Sequence, residues 1–119
     1  MALKNRINYI QKLVPDAAII LIGPSDMSRP NDGVFETYPF LPYTVTYMQK
    51  MCAESGVTFW NLYAAMGGIN SMPAWVAQGL AGKDYVHFSP KGASIASQYF
   101  YEAFVAAYSE WQSEKGGVE

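Results

Sequence analysis

Apolar positions along the chain recur first at helical and then at strand spacing. Leu3, Ile7, Ile10 and Val14 lie three or four residues apart, which puts them on one face of an amphipathic helix, and Pro15 with Asp16 ends the pattern. Ala17 to Ile22 follows as an unbroken apolar run stopped by Gly23-Pro24. A run that does not alternate predicts a strand covered on both faces, as in a parallel sheet. Residues 25–42 are rich in Pro, Asp, Ser, Gly and Asn. They read as a long loop leaving the carboxyl end of that strand, where open α/β sheets bind their ligands. Val45, Met48 and Cys52 mark one face of a second helix, closed by Ser55-Gly56, whose glycine suits the left-handed position that ends helices. Val57 to Leu62 is a second buried strand.

Tyr63 to Lys83 is broken by Gly67-Gly68, Pro73 and Gly79-Leu80-Ala81-Gly82, which predicts short helical turns joined by tight bends. Ser89-Pro90 supplies an N-cap and a first-turn proline for a long last helix. Ala96, Phe100, Ala103, Ala107 and Trp111 form its stripe, and the tail from Gln112 to Glu119 is expected to fray. The order helix, strand, helix, strand, helix predicts an α/β fold, a parallel βαβ unit with a third layer of helix. Two parallel strands have open edges and too little surface to cover three helices. Further strands are therefore expected from elsewhere, either a missing N-terminal half of the same domain or a second copy in a homodimer.

Composition narrows the function classes. Half of the 119 residues are hydrophobic, 15% are charged and the net charge is -2, which describes one globular domain at most. The 8 basic residues are scattered, so nucleic acid and anionic membrane surfaces are excluded as partners. The N-terminal Met1-Ala2-Leu3-Lys4-Asn5-Arg6 has no long apolar core, so it reads as neither signal peptide nor transmembrane segment. With Cys52 as the single cysteine and His87 as the single histidine, neither an internal disulfide nor a zinc site is available. Asp26, Asp32, Glu36 and Asp84 match no calcium loop, and no metal or other cofactor is expected.

The stretch with chemical potential is Lys83-Asp84-Tyr85-Val86-His87-Phe88-Ser89-Pro90. One turn of chain can bring the Asp84 carboxylate onto Nδ1 of His87, fixing the tautomer that leaves Nε2 as a general base. Spacing alone also suits a surface or capping histidine. Ser25 and Ser28 lie beyond the first strand, where either could act as a nucleophile, although serines among Gly, Pro and Asp also serve turns. Cys52, on a helical apolar stripe, reads as a buried small hydrophobe rather than a nucleophile. Tyr38, Phe40, Tyr43 and Tyr47 suit an acyl or sugar pocket and equally a core or an interface, and so do Met72 and Trp75.

Taken in order, these segments resemble the C-terminal half of the SGNH (GDSL-type) hydrolases, flavodoxin-like esterases and acylhydrolases. The resemblance is carried by Val14-Pro15-Asp16-Ala17-Ala18-Ile19-Ile20-Leu21-Ile22-Gly23-Pro24 as the family's fourth strand with its entry. Thr58-Phe59-Trp60-Asn61-Leu62-Tyr63 looks like the fifth strand, and Asp84-Tyr85-Val86-His87-Phe88-Ser89 like the terminal Asp-x-x-His block. Met66-Gly67-Gly68-Ile69-Asn70-Ser71, followed by Trp75, is similar to a segment of bacterial members.

The resemblance spans nearly the whole chain. It implies a partial three-layer α/β/α domain over residues 1–119, with about two parallel strands and three main helices and without the N-terminal strands. It also implies His87 as general base and Asp84 as its orienting partner. The family's Gly-Asp-Ser nucleophile block and Gly-x-Asn-Asp oxyanion block have no counterpart in the sequence. Two functions follow as expectations. One is the Asp-His part of a carboxyl-ester hydrolase, inactive alone, acting on a small-molecule or carbohydrate ester, with a secreted or extracytoplasmic place for the full-length protein. The other is a non-catalytic, self-associating structural module.

Overall fold

The computed structural model describes residues 2–116, in the order α1 (Ala2–Leu13), β1 (Ile20–Ile22), β2 (Ser28–Asn31), β3 (Val34–Thr37), α2 (Leu41–Glu54), β4 (Thr58–Trp60), α3 (Leu62–Met66), α4 (Met72–Ala77) and α5 (Pro90–Gly116). The expected parallel pair is β1 beside β4, in the register Ile20 to Thr58, Leu21 to Phe59 and Ile22 to Trp60. Gly23 continues the ladder by donating its amide to the Trp60 carbonyl at 2.9 Å. The connection through α2 is the βαβ unit read from the sequence, and the fold is a mixed, partial three-layer α/β/α arrangement.

One face of the pair is packed. Ile7 from α1, Cys52 from α2 and Val57 form a buried cluster, closed by Leu3, Ile19, Leu21 and Phe59. α2 ends as its sequence predicts: Gly56 takes a φ of 67°, and the Val57 amide donates back to the Cys52 carbonyl at 2.9 Å. The opposite face differs from the expectation of a fully covered strand. Ile20 and Ile22 point alternately away from the packed cluster and are 42% and 53% exposed, although Trp60 meets Phe100 of α5 edge-on.

Length explains the gap. At about 1.5 Å per residue a 27-residue helix runs roughly 40 Å, whereas a three-residue strand covers about 10 Å. Only the first turns of α5 find a partner, so Gly92 and Ala96 are buried while Ala103, Ala107 and Trp111 of the predicted stripe are exposed. The stripe on α1 shortens likewise: Ile7 is buried, but Ile10 and Val14 face solvent. The predicted fraying from Gln112 is corrected as far as Gly116, which is helical, while residues 117–119 lie outside the described residues. No helix among the described residues is long and apolar enough to cross a membrane.

A second cluster lies at the carboxyl end of the strands. Met66, Met72, Trp75, Leu80, Ala81 and Ala96 are buried together, against Leu62, Val76, Tyr85, Phe88 and Ile95. The Trp75 indole N–H donates to the Met66 carbonyl at 3.0 Å, so this aromatic ring sits in the core with its polar edge satisfied. α5 is locked to this cluster at its start. The Ser89 amide donates to the Leu80 carbonyl at 3.0 Å, and the Ser89 hydroxyl accepts from the Gly92 amide at 3.1 Å, the N-cap read from the sequence.

The loop expected over residues 25–42 instead holds the antiparallel hairpin β2–β3, with Ser28 opposite Thr37 and Asn31 opposite Val34. Asp32 and Gly33, both at positive φ (52° and 81°), turn it. The strands Ser-Arg-Pro-Asn and Val-Phe-Glu-Thr carry little apolar alternation, so the strand signal is masked while the Asp-Gly turn signal is present.

Gly92 is the tightest packing point on α5, since any Cβ there would collide with the backbone of Leu80. Gly92→Ala is expected to lower folding stability by about 3 kcal/mol, read as a reduced urea midpoint with unchanged slope. Gly116→Ala, at a helical glycine with open space around it, should leave the midpoint in place.

Candidate functional site

The Asp-x-x-His stretch forms a closed loop between Ala81 and Phe88, which bridge each other in antiparallel fashion. The Gly82 amide donates to the His87 carbonyl at 2.8 Å, and the Tyr85 amide to the Gly82 carbonyl at 3.0 Å. Tyr85 completes the reversal at a φ of 59°, a left-handed conformation unusual for an aromatic residue. Inside this loop the Asp84 carboxylate meets three local donors. Oδ1 accepts from the amides of Val86 at 2.9 Å and His87 at 3.1 Å, and Oδ2 meets Nδ1 of His87 at 2.7 Å.

These bonds act in series. The backbone amides fix the carboxylate, and the carboxylate fixes the imidazole with its proton on Nδ1. Nε2 has no hydrogen-bond partner among the described residues, and the imidazole side chain is 82% exposed. The arrangement is an oriented proton acceptor open to an incoming group. The same donors hold the Asp84 carboxyl at about 2, first through the His87 side chain and then through the amides of His87 and Val86.

The loop is held from the side by the hairpin. The Ser28 amide donates to the Tyr85 carbonyl at 3.0 Å, and the Phe35 and Tyr85 rings stack with centroids 3.7 Å apart and planes 7° from parallel. Beneath the hairpin lies Asp26, fully buried, whose Oδ1 accepts from the Thr37 hydroxyl at 2.7 Å and Oδ2 from the Met72 amide at 2.8 Å. Asn70 clamps Thr37 from the far side. Its backbone N–H donates to the Thr37 hydroxyl at 2.7 Å, and its side-chain Oδ1 accepts from the Thr37 backbone N–H at 2.9 Å. Sequence reasoning treats Asp26 only as a possible metal ligand and passes over Thr37. The available signal is an acidic residue embedded in Gly-Pro-Ser-Asp-Met, immediately after a buried strand.

The remaining candidates go to separate places. Ser28 is 2% exposed and its hydroxyl has no partner among the described residues, so it is sealed from an external ester. Ser25 is half-buried, and neither serine hydroxyl is hydrogen-bonded to His87. Cys52 is fully buried in the cluster under β1 and β4, and burial pushes its thiol upward. Asp32 turns the hairpin and Glu36 accepts from Asn31 at 3.1 Å. No group of three or more His, Cys, Asp or Glu among the described residues could hold a metal ion.

Of the aromatic candidates, Tyr38 and Phe40 line an open apolar groove of about 680 Å³ that reaches Val86, the neighbour of His87. Tyr43 is 78% exposed, Tyr47 lies on the outer face of α2, and Met72 and Trp75 belong to the core.

Asp84 gives the loop a defined acid limit. Its carboxyl titrates near 2 in the folded protein against 3.8 for the free group, so its stabilising effect is complete above 3.8 and is lost as pH falls through 2. The carboxyl carbon of Asp84, followed by NMR, is expected to titrate with a midpoint near 2. In His87→Ala that midpoint should rise but stay below 3.8, because the two backbone donors remain. An unchanged midpoint would mean that the imidazole does not bond the carboxylate in solution.

No family model and no curated protein matches the chain. Among solved structures, a peptidoglycan O-acetylesterase aligns with a TM-score of 0.81 and 28% identity over 87% of this chain. The esterase domain of the ORF1 protein from the zebrafish ZfL2-1 retrotransposon aligns with a TM-score of 0.63 and 20% identity over 88% of this chain, a likeness of fold alone. The chain spans 30% of the first protein's length and 56% of the second's. By its elements, their order and these likenesses, the chain is a partial SGNH-type hydrolase fold.

Proposed function

We propose that residues 1–119 are the C-terminal part of a single SGNH hydrolase domain and supply the Asp-His part of a carboxyl-ester hydrolase's catalytic triad. The observation that carries this reading is the 2.7 Å contact from Asp84 to Nδ1 of His87, with the opposite ring nitrogen directed to an open surface. His87 is the general base and Asp84 its orienter. A serine from the N-terminal part of the domain attacks the ester carbonyl while Nε2 takes its proton. The same nitrogen returns the proton to the leaving alcohol, and water repeats the sequence on the acyl-enzyme. Asp84 holds the ring in the required tautomer and stabilises the imidazolium formed in each half-reaction.

Two further features support the reading. Ile20 and Ile22 on β1, together with Phe104 and Trp111 on α5, leave apolar surface open where additional strands would pack. The likeness to a peptidoglycan O-acetylesterase favours an acetylated carbohydrate as the ester. The acyl-transfer chemistry requires no cofactor.

The chain alone is expected to hydrolyse p-nitrophenyl acetate no faster than its His87→Ala variant. Addition of a polypeptide carrying the strands and Gly-Asp-Ser block of the domain should produce His87-dependent turnover, lowered by about four orders of magnitude in Asp84→Asn. Strong His87-dependent turnover by the chain alone would overturn the assignment of the nucleophile to another segment.

The same exposed apolar surface favours a second reading, a non-catalytic module that self-associates. For that reading light scattering should give a dimer mass at micromolar concentration, and a monomer across the series would refute it.

A further inference from the structure

The Asp84–His87 loop carries no buried polar anchor of its own: Asp84 and His87 are both exposed, and Tyr85 sits at a strained φ of 59°. Among the described residues its only non-local backbone bond outside the loop's own ends and the α5 cap runs from the Ser28 amide to the Tyr85 carbonyl. The hairpin also presents Phe35 to the Tyr85 ring, face to face at 3.7 Å. Tyr85 lies between the two chemical residues, so the hairpin grips the middle of the loop.

The hairpin is itself immobilised at its other end. Thr37, paired with Ser28 across the ladder, has its hydroxyl shared between the Asp26 carboxylate and the Asn70 amide. Asp26 is also bonded to the Met72 amide, which ties the hairpin to the Trp75 cluster. A buried carboxyl group with both oxygens hydrogen-bonded resists displacement, because moving either partner leaves a buried acceptor unpaired. From Asp26 to the imidazole there is one continuous path: carboxylate, Thr37 hydroxyl, the Thr37–Ser28 pair, Tyr85, then Asp84 and His87.

We propose that the β2–β3 hairpin, locked by the buried Asp26–Thr37–Asn70 hydrogen bonds, is the positioning element that holds Asp84 on Nδ1 of His87. Asp26, Thr37 and Phe35 are positioning residues: none reaches the imidazole, and each acts through Tyr85. The inference rests on the reading of Asp84 and His87 as orienter and base, yet it concerns geometry and is testable without turnover.

With one histidine in the chain, the long-range ¹H–¹⁵N spectrum of the full chain reports a single imidazole, and its ring nitrogens give the ratio of Nδ1–H to Nε2–H tautomers. Loss of the hairpin's grip should lower that ratio by about threefold or more toward the solvent preference. Thr37→Val removes the shared hydroxyl at constant shape, and Phe35→Ala removes the stacking partner without touching a buried polar group. Both are expected to lower the ratio, while Asn31→Ala, at the hairpin tip, should not. Because Phe35 is only partly buried, that variant decides the matter if Thr37→Val does not fold.

A wild-type ratio in folded Phe35→Ala would overturn the proposal. If the ratio responds as expected while the complemented enzyme shows no His87-dependent hydrolysis, the catalytic reading fails and the positioning role stands.

Discussion

A side chain sealed from water, Asp26, organises the carboxyl end of the parallel strands. A fully buried polar group is costly unless it is hydrogen-bonded, and Asp26 is satisfied by donors delivered from elsewhere in the chain. The Thr37 hydroxyl lies 11 residues away and the Met72 amide 46. Satisfying one side chain therefore draws a hairpin and the start of α4 to the end of β1, with Asn70 completing the enclosure. Removing one of those donors would leave a buried acceptor short by about 1–3 kcal/mol, a large share of the stability of a domain this size.

The Asp84–His87 pair has a different economy. Its donors lie within three residues in a tight loop, and both side chains remain in water. Local construction makes the pair easy to form, and exposure leaves it weak as a chemical device. In water an oriented imidazole gains little from its carboxylate. The advantage grows when a covering segment excludes solvent and lowers the local dielectric. In the proposed reading the loop depends on neighbours twice, on the hairpin for position and on further strands for environment.

The uneven packing of the sheet fits that dependence. α1 and α2 bury one face through Ile7, Cys52, Leu21 and Phe59, while across the sheet Ile20 and Ile22 stay largely in solvent. Each half-exposed isoleucine forgoes on the order of 1 kcal/mol of burial. A long α5 whose outer turns expose Phe104, Tyr108 and Trp111 has the same character. These residues have the chemistry of a core and the surroundings of a surface.

How much was legible in the sequence follows from the range of each interaction. Local pattern and residue type determined the two parallel strands, the α2 helix with its Gly56 ending, and the Ser89 cap of α5, because those features depend on neighbours within a turn or on one apolar segment. The spacing of Asp84 and His87 made their contact possible, since only two residues lie between them, but did not by itself require it. Burial of the strands' second face could not be read there, because an apolar run states what a segment prefers and not whether the covering layer is present. Nor could the hairpin, whose strands Ser28–Asn31 and Val34–Thr37 are nearly devoid of apolar alternation. Its existence rests on Asp26, Thr37, Asn70 and Tyr85, residues up to 59 positions apart by their numbering, which only the tertiary structure brings to hydrogen-bonding distance.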